Sequence, residues 1–288
     1  MSYLDNINSP ADVKKLNLKE LEALAEEIRS AILNRDSKIG GHVAPNLGIV
    51  ETTIALHYVF NSPEDKIVYD VSHQSYPHKI LTGRKNGFLT DEGMRKISGY
   101  TTPAESEHDH FIVGHTSTSV SLACGLAKAR DLKGEKHNVI AVIGDGSLSG
   151  GEALEGFDNA AVLNSNIIII VNDNEMSIAE NHGGLYGNLR LLRQTGGKAE
   201  CNMFKALGFD YRYLEEGNDI AKLTSLMKEV KDTDKPTVLH IHTEKGKGYK
   251  PAEEHKETWH WSVPFDIASG NPTVDLSGEN YNSITVNY

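Results

Sequence analysis

Two polar clusters in this chain stand where apolar runs end. In "VIGDGSLSGGEALEGFDNA", Asp145 lies between Gly144 and Gly146, directly after "VIAVI". In "IIIIVNDNEM", the polar residues Asn172 to Glu175 follow a run of isoleucines. The glycines let the backbone turn tightly beside a ligand, and a helix starting near Ser149 to Gly151 offers unpaired N–H groups and a positive dipole end to a phosphate. Asp145 repels such an anion unless a divalent cation lies between them. Mg²⁺ takes carboxylates, amide carbonyls, phosphates and water in an octahedral set. The second cluster holds such donors in the Asn174 side-chain oxygen and the main-chain carbonyl of Met176. Alone, a GDG is a common turn and an NDN a common set of caps. Set 29 residues apart, after two buried strands joined by a helix, Asp145 and Asn174 suit a metal-diphosphate site. The pattern is neither G-x-G-x-x-G with an acid about 20 residues on nor a G-x-x-x-x-G-K-[ST] phosphate loop.

Helices and strands that alternate along the chain must position these clusters. "LNLKELEALAEEIRSAILNRDSK" carries Leu18, Leu21, Leu24, Ile28 and Ile32 at helical spacing. That predicts an amphipathic helix capped near Asn17 and packed on the outside of a sheet. "NLGIVETTIALHYVF" reads as a second, more apolar helix, "KIVYDV" as a short strand, "STSVSLACGLAKARDL" as a small-residue helix and "NVIAVIGD" as a strand running into the glycine turn. After "NIIIIVND" come a glycine-rich stretch, helices near "CNMFKALG" and "NDIAKLTSLMKEVKD", and the strand "PTVLHIHTEKG". Near-continuous β-branched runs fit strands covered on both faces. The order predicts an α/β fold, a doubly wound, mainly parallel sheet with helices on both faces. Its strands' carboxyl ends share the edge where ligands collect.

With 288 residues, 39% hydrophobic and 24% charged, the chain can bury a sizeable core. A net charge of -11 argues against nucleic acid as a partner, because phosphate neutralisation needs a basic face. Two cysteines, Cys124 and Cys201, are too few and too far apart for a disulfide framework or a zinc motif. "MSYLDNINSPADVKKLN" lacks an apolar signal core, and no apolar run approaches the roughly 20 residues of a membrane span. A cytoplasmic enzyme with no membrane partner is the simplest class. No period of about 20–50 residues repeats, which removes solenoids. After Pro264 the apolar periodicity fades into Gly, Asn, Ser and Asp, so residues 1–266 are expected to form one domain and 267–288 a linker.

The combination of GDG, a strand and a terminal asparagine resembles the thiamin-diphosphate motif of transketolase-like enzymes. From about Ser37 to Asp266 the chain is similar to the N-terminal domain of the 1-deoxy-D-xylulose 5-phosphate synthase family. The stretches that carry this are "GGHVAPNLGIVETTIALHYVF", "YDVSHQSYPHKILTGRK", "VGHTSTSVSLACGLAKA", "VIGDGSLSGGEALEGFDNA", "VNDNEMSIAEN" and "KGKGYKPAEE". The resemblance implies thiamin diphosphate and Mg²⁺ as cofactors, with Asp145, Asn174 and the Met176 carbonyl on the metal. It implies Gly146 and Ser147 against the diphosphate, His73 and the run Gly114, His115 and Thr116 on the cofactor, and Tyr249 closing over it. His42 would face the reacting carbon, His260 would be a further active-site group, and His78 would be structural. The implied reaction is the decarboxylative condensation of pyruvate with D-glyceraldehyde 3-phosphate, which feeds isoprenoid and thiamine biosynthesis.

Departures from the family pattern bear on specificity. "VSHQ" has Ser72 where the family usually has glycine, the stretch Gly183 to Asn202 is much shorter than the usual insertion, and "ISGYTTPAESEHDHF" also differs. Loops over a site carry specificity, so substrate preference is what these changes touch. The resemblance further implies a homodimer that needs a pyrimidine-binding domain and a C-terminal domain. The chain is therefore expected to be the N-terminal part of a synthase, inactive alone. The alternatives are a subunit of a split transketolase or other thiamin-diphosphate enzyme, and a non-catalytic α/β binding domain.

Overall fold

The computed structural model describes residues 2–276, 278 and 285. Five strands, β1 (Lys66–Tyr69), β2 (Val139–Gly144), β3 (Ile168–Asp173), β4 (Asp210–Leu214) and β5 (Thr237–His242), form a parallel sheet in the order β1-β2-β3-β5-β4. Alternate residues of each strand point to opposite faces. On one face Val139, Ala141, Ile143, Ile169 and Val171 pack against α3 (Ser119–Lys133), α4 (Gly151–Val162) and α5 (Gly184–Gln194). On the other, Ile140, Val142, Ile168 and Ile170 meet α2 (Val50–Val59) and α6 (Ile220–Val230). The isoleucine runs are thus buried on both sides, as the doubly wound reading requires. The register sets Gly144 opposite Asn172, so the two polar clusters leave the sheet side by side.

The first amphipathic helix, α1 (Leu18–Ile39), starts where expected. Asn17 Oδ1 accepts the Glu20 N–H at 3.2 Å, and Glu20 returns a bond to the Asn17 N–H at 2.7 Å. Its apolar stripe does not lie on the sheet. Leu21, Leu24, Ile28 and Ile32 join an all-helical cluster with Val43, Leu47, Val50 and Ile54, which makes α1 an outer layer over α2. The second apolar helix breaks in two at Ile49, into Val43–Gly48 and α2.

Two elements depart further from the sequence reading. The glycine-rich stretch after β3 contains α5, whose Leu185, Leu189 and Leu192 share one face. Glycines at 183, 184 and 187 mask that stripe in the sequence. β4 lies at the sheet edge with only Tyr211 buried, so "DYRYL" lacks the apolar run of its neighbours. Residues expected to begin a linker still bond to the domain: Tyr249 Oη donates to the Ile267 carbonyl at 3.0 Å and Thr273 N–H to that of Pro264 at 2.9 Å. The rest of that expected linker, 277 and 279–288 apart from 285, lies outside the described residues. Cys124 and Cys201 are free. Among the described residues, no helix is long and apolar enough to cross a membrane.

Candidate active site

A cavity of about 200 Å³ opens at the carboxyl edge of β1, β2 and β3. Its walls include His42, His73, Thr116, Asp145, Gly146, Ser147, Asn174, Met176 and His260. Nine of the twelve expected site residues therefore converge there. Gly114 and His115 are exposed on the loop leading to Thr116, outside the cavity lining. Tyr249 also lies outside it. Its ring packs edge-on to Trp259, with centroids 5.0 Å apart, inside the helical cluster. A larger groove of about 730 Å³ shares Asn174 and Met176, but its Glu175, Glu215, Glu216, Asp219 and Glu244 make it unsuited to a polyanion.

Asp145 is 1% exposed, and one carboxylate oxygen accepts the Asn181 Nδ2–H at 2.7 Å. Burial, reinforced by the neighbouring Asp173, pushes its carboxyl well above the usual carboxylate range. A buried carboxyl beside a second acid is a place where a cation would stabilise the charged form. Asn174 Oδ1 accepts the Met176 N–H at 3.2 Å, which leaves a lone pair on the oxygen. Among the described residues no cluster of three or more His, Cys, Asp or Glu is disposed to hold a metal; a cation here would meet one carboxylate with amide and main-chain oxygens, donors of the type Mg²⁺ takes. Gly146 completes the cradle: a Cβ there would lie 2.8 Å from Ser177 Cβ. Only glycine lets the two turns approach this closely.

Three histidines from distant segments stand together on one wall. Ring centroids are 5.1 Å apart for His42 and His73, 5.8 Å for His42 and His260, and 5.3 Å for His73 and His260. Burial lowers His42 and His260 to about 4 and His73 well below its ordinary value, so all three are uncharged at neutral pH. The Nδ1 atoms of His73 and His260 are buried without a partner.

Backbone bonds explain the meeting. Asn46, fully buried, donates Nδ2–H to the carbonyls of His42 at 2.7 Å and His73 at 2.8 Å, and its Oδ1 accepts the Tyr76 N–H at 2.9 Å. Gly41 and Ser262 exchange two backbone bonds of 2.9 Å, which draws the His260 segment alongside. The Thr116 loop is tied down by Asp70, whose carboxylate accepts the N–H groups of Ser117 at 2.8 Å and Ser119 at 2.9 Å.

Sequence reasoning missed several of these parts. Lys245 lines the cavity, 1% exposed, with Nζ donating to the Ser177 carbonyl at 2.6 Å. Burial lowers it to about 8, so it remains largely a cation. It arrives because Gly48 lets the helix before α2 touch the chain there, a Cβ at 48 meeting the Glu244 carbonyl at 2.8 Å. "KGKGY" carried this lysine beside the tyrosine that drew attention. Asn46 and Asp70 stood inside the quoted motifs but act through backbone contacts that no spacing reveals. Ser72 is fully buried with φ 66, its hydroxyl accepting the Thr101 N–H at 2.9 Å and donating to the Val113 carbonyl at 3.3 Å. It faces the 98–113 segment and does not line the cavity.

Comparison with known proteins places this geometry first in a class. Transketolase from Campylobacter jejuni superposes with a TM-score of 0.67 at 20% identity, over 94% of this chain and 46% of that one. Transketolase from Leishmania mexicana gives 0.63 at 19%, over 92% and 43%. The fold is therefore that of the transketolase class. At the level of sequence, the family model described as 1-deoxy-D-xylulose-5-phosphate synthase matches residues 4–200 and 192–243, and the chain belongs to that family. Synthases so named from Listeria monocytogenes and Caldanaerobacter subterraneus subsp. tengcongensis are 46% and 45% identical over 93% of the chain. The chain spans about half the length of these curated relatives, 46% and 49% respectively.

Proposed function

We propose that this chain carries the Mg²⁺- and diphosphate-binding half of a 1-deoxy-D-xylulose 5-phosphate synthase acting on pyruvate and D-glyceraldehyde 3-phosphate. The supporting observation is the desolvated Asp145 carboxylate at the glycine turn, in one cavity with three uncharged imidazoles. Asp145, the Asn174 side-chain oxygen and the Met176 carbonyl would hold Mg²⁺. Gly146, Ser147, His73 and Thr116 would hold the cofactor. Bound thiamin diphosphate supplies the carbanion chemistry that decarboxylation of a 2-oxo acid needs. His42 remains neutral through burial, so a ring nitrogen can accept or return a proton at a substrate oxygen. His260 faces His42 edge-on and can share that work. Lys245 keeps positive charge in the cavity for an anionic group of substrate or cofactor. The same reading carries a cytoplasmic homodimer completed by pyrimidine-binding and C-terminal domains.

Calorimetric titration with thiamin diphosphate, with and without Mg²⁺, tests this. The chain alone is expected to bind weakly and only with Mg²⁺. Asp145→Ala is expected to weaken that binding by more than about 100-fold, because even outer partners of metal ligands cost about 10–100-fold. The apo variant is expected to keep its fold, since relief of the buried carboxyl offsets loss of the Asn181 hydrogen bond. Wild-type affinity in a folded Asp145→Ala variant overturns the metal assignment. Ketose cleavage without pyruvate decarboxylation by the chain joined to the rest of a synthase would favour the transketolase alternative.

A further inference from the structure

Helix α5 bridges the two turns that carry the candidate ligands. Leu189 and Leu192, both buried, seat it on the core beneath β2 and β3. Just before it, Asn181 donates to Asp145 Oδ2. In its first turn the Tyr186 hydroxyl lies 3.0 Å from Ser149 Oγ and 3.4 Å from the Gly146 carbonyl. At its far end Arg193 reaches the second cluster. Nη1 donates to the buried Asp173 carboxylate and Nη2 to Glu175 Oε2, the latter at 2.9 Å.

The turn so gripped is strained. Glu175 has φ 68, in the left-handed region that non-glycine residues enter at a cost. Within the turn, Asp173 Oδ1 accepts the Glu175 N–H at 3.1 Å and Asn174 Oδ1 the Met176 N–H at 3.2 Å. Both are local, and Asn174 must also present an oxygen to the cavity. His240 Nε2 also stands 2.9 Å from Asp173 Oδ2 and His242 Nε2 3.6 Å from Glu175 Oε1, but Arg193 is the residue that reaches both carboxylates, one on each side of Asn174.

We propose that Arg193 is a positioning residue for the cation and diphosphate site: its fork clamps Asp173 and Glu175, and α5 fastens that clamp to the glycine turn bearing Asp145. The identity of the ligand rests on the function proposed above; the clamp itself does not. Lysine carries the charge without the planar fork and cannot serve both carboxylates equally.

Amide hydrogen exchange of the ligand-free chain reads the clamp directly. Arg193→Met is expected to lower protection at Glu175, Met176 and Ser177 by at least about tenfold while β2 and β3 keep theirs, the pattern of a local opening. Arg193→Lys should fall between. The Mg²⁺ concentration needed for half-maximal thiamin-diphosphate binding should rise about tenfold in Arg193→Met, within the range for outer partners of metal ligands. Unchanged protection at 175–177 overturns the proposal, as does equal loss across β2 and β3, which would make Arg193 a general stabiliser. If Arg193→Met does not fold, the same comparison of Arg193→Lys with wild type decides. If the wild-type chain binds no thiamin diphosphate, the functional reading fails while the exchange result still judges the clamp.

Discussion

Asn46 makes a single amide answer for the spacing of two histidines. Its Nδ2 protons go to the backbones of His42 and His73, and no water competes at so buried a position. Asn46→Ala leaves the buried Tyr76 N–H without its partner and takes a donor from the part-buried carbonyls of His42 and His73, at about 1–3 kcal/mol for an unsatisfied buried group. Partial relaxation should keep the total near about 3 kcal/mol in denaturant unfolding. Asn46→Asp should cost more, because it turns both donors into acceptors facing carbonyls. A loss below about 1 kcal/mol for either variant would show that the loops hold themselves together.

The 98–113 segment shows how one residue secures an element. Ser72 bears positive φ, a cost that glycine would avoid, yet its hydroxyl ties Thr101 and Val113 to the end of β1. Relief of φ contributes about 1–2 kcal/mol in favour of glycine. Against it stand two hydrogen bonds worth about 0.5–1.5 kcal/mol each and the penalty of leaving the Thr101 N–H buried and unpaired. The bonds win. Ser72→Gly is expected to destabilise by about 1 kcal/mol and to speed exchange of the Thr101 amide. A stabilised variant would mean that strain dominates at this position. Tyr100, in the same segment, packs edge-on against His42 at 5.8 Å, so loosening the segment should also broaden that histidine's resonances.

Across the whole molecule, buried histidines set the response to acid. Burial holds His42, His78, His110 and His260 near 4, and His57 and His73 well below their ordinary value of 6.5. The unfolded chain takes up protons below 6.5 that the folded chain refuses until about 4, so this stability is full above 6.5 and is lost as pH falls through that window. Asp36 and Asp145 act in the opposite sense. Burial raises Asp36 to about 7 against the pull of Arg35 and Asp145 well above the usual carboxylate range, so their contributions are present at low pH and fade as pH rises above 3.8. The six histidines outnumber these two. At about 2–4 °C per kcal/mol, the apo Tm should drop by more than about 5 °C from pH 7 to pH 5. An equal or higher Tm at pH 5 would contradict this balance.

Local spacing determined much of this protein. The Asn17 cap, the stripe of α1, the β-branched runs of β2 and β3 and the turns at Asp145 and Asn174 are read from residues close in sequence, and neighbouring backbone geometry enforces them. The parallel sheet then follows, because two buried strands joined by a helix have one way to pair. Tertiary structure decided what depends on contacts between distant residues. It placed α1 on helices, drew α5 from a glycine-rich stretch through three leucines, and turned Tyr249 into an aromatic cluster. It also brought His42, His73 and His260 together through Asn46 and the pairing of Gly41 with Ser262. Many of those contacts end on backbone groups or join separate segments, where side-chain periodicity carries no signal; only the packed chain brings the groups together.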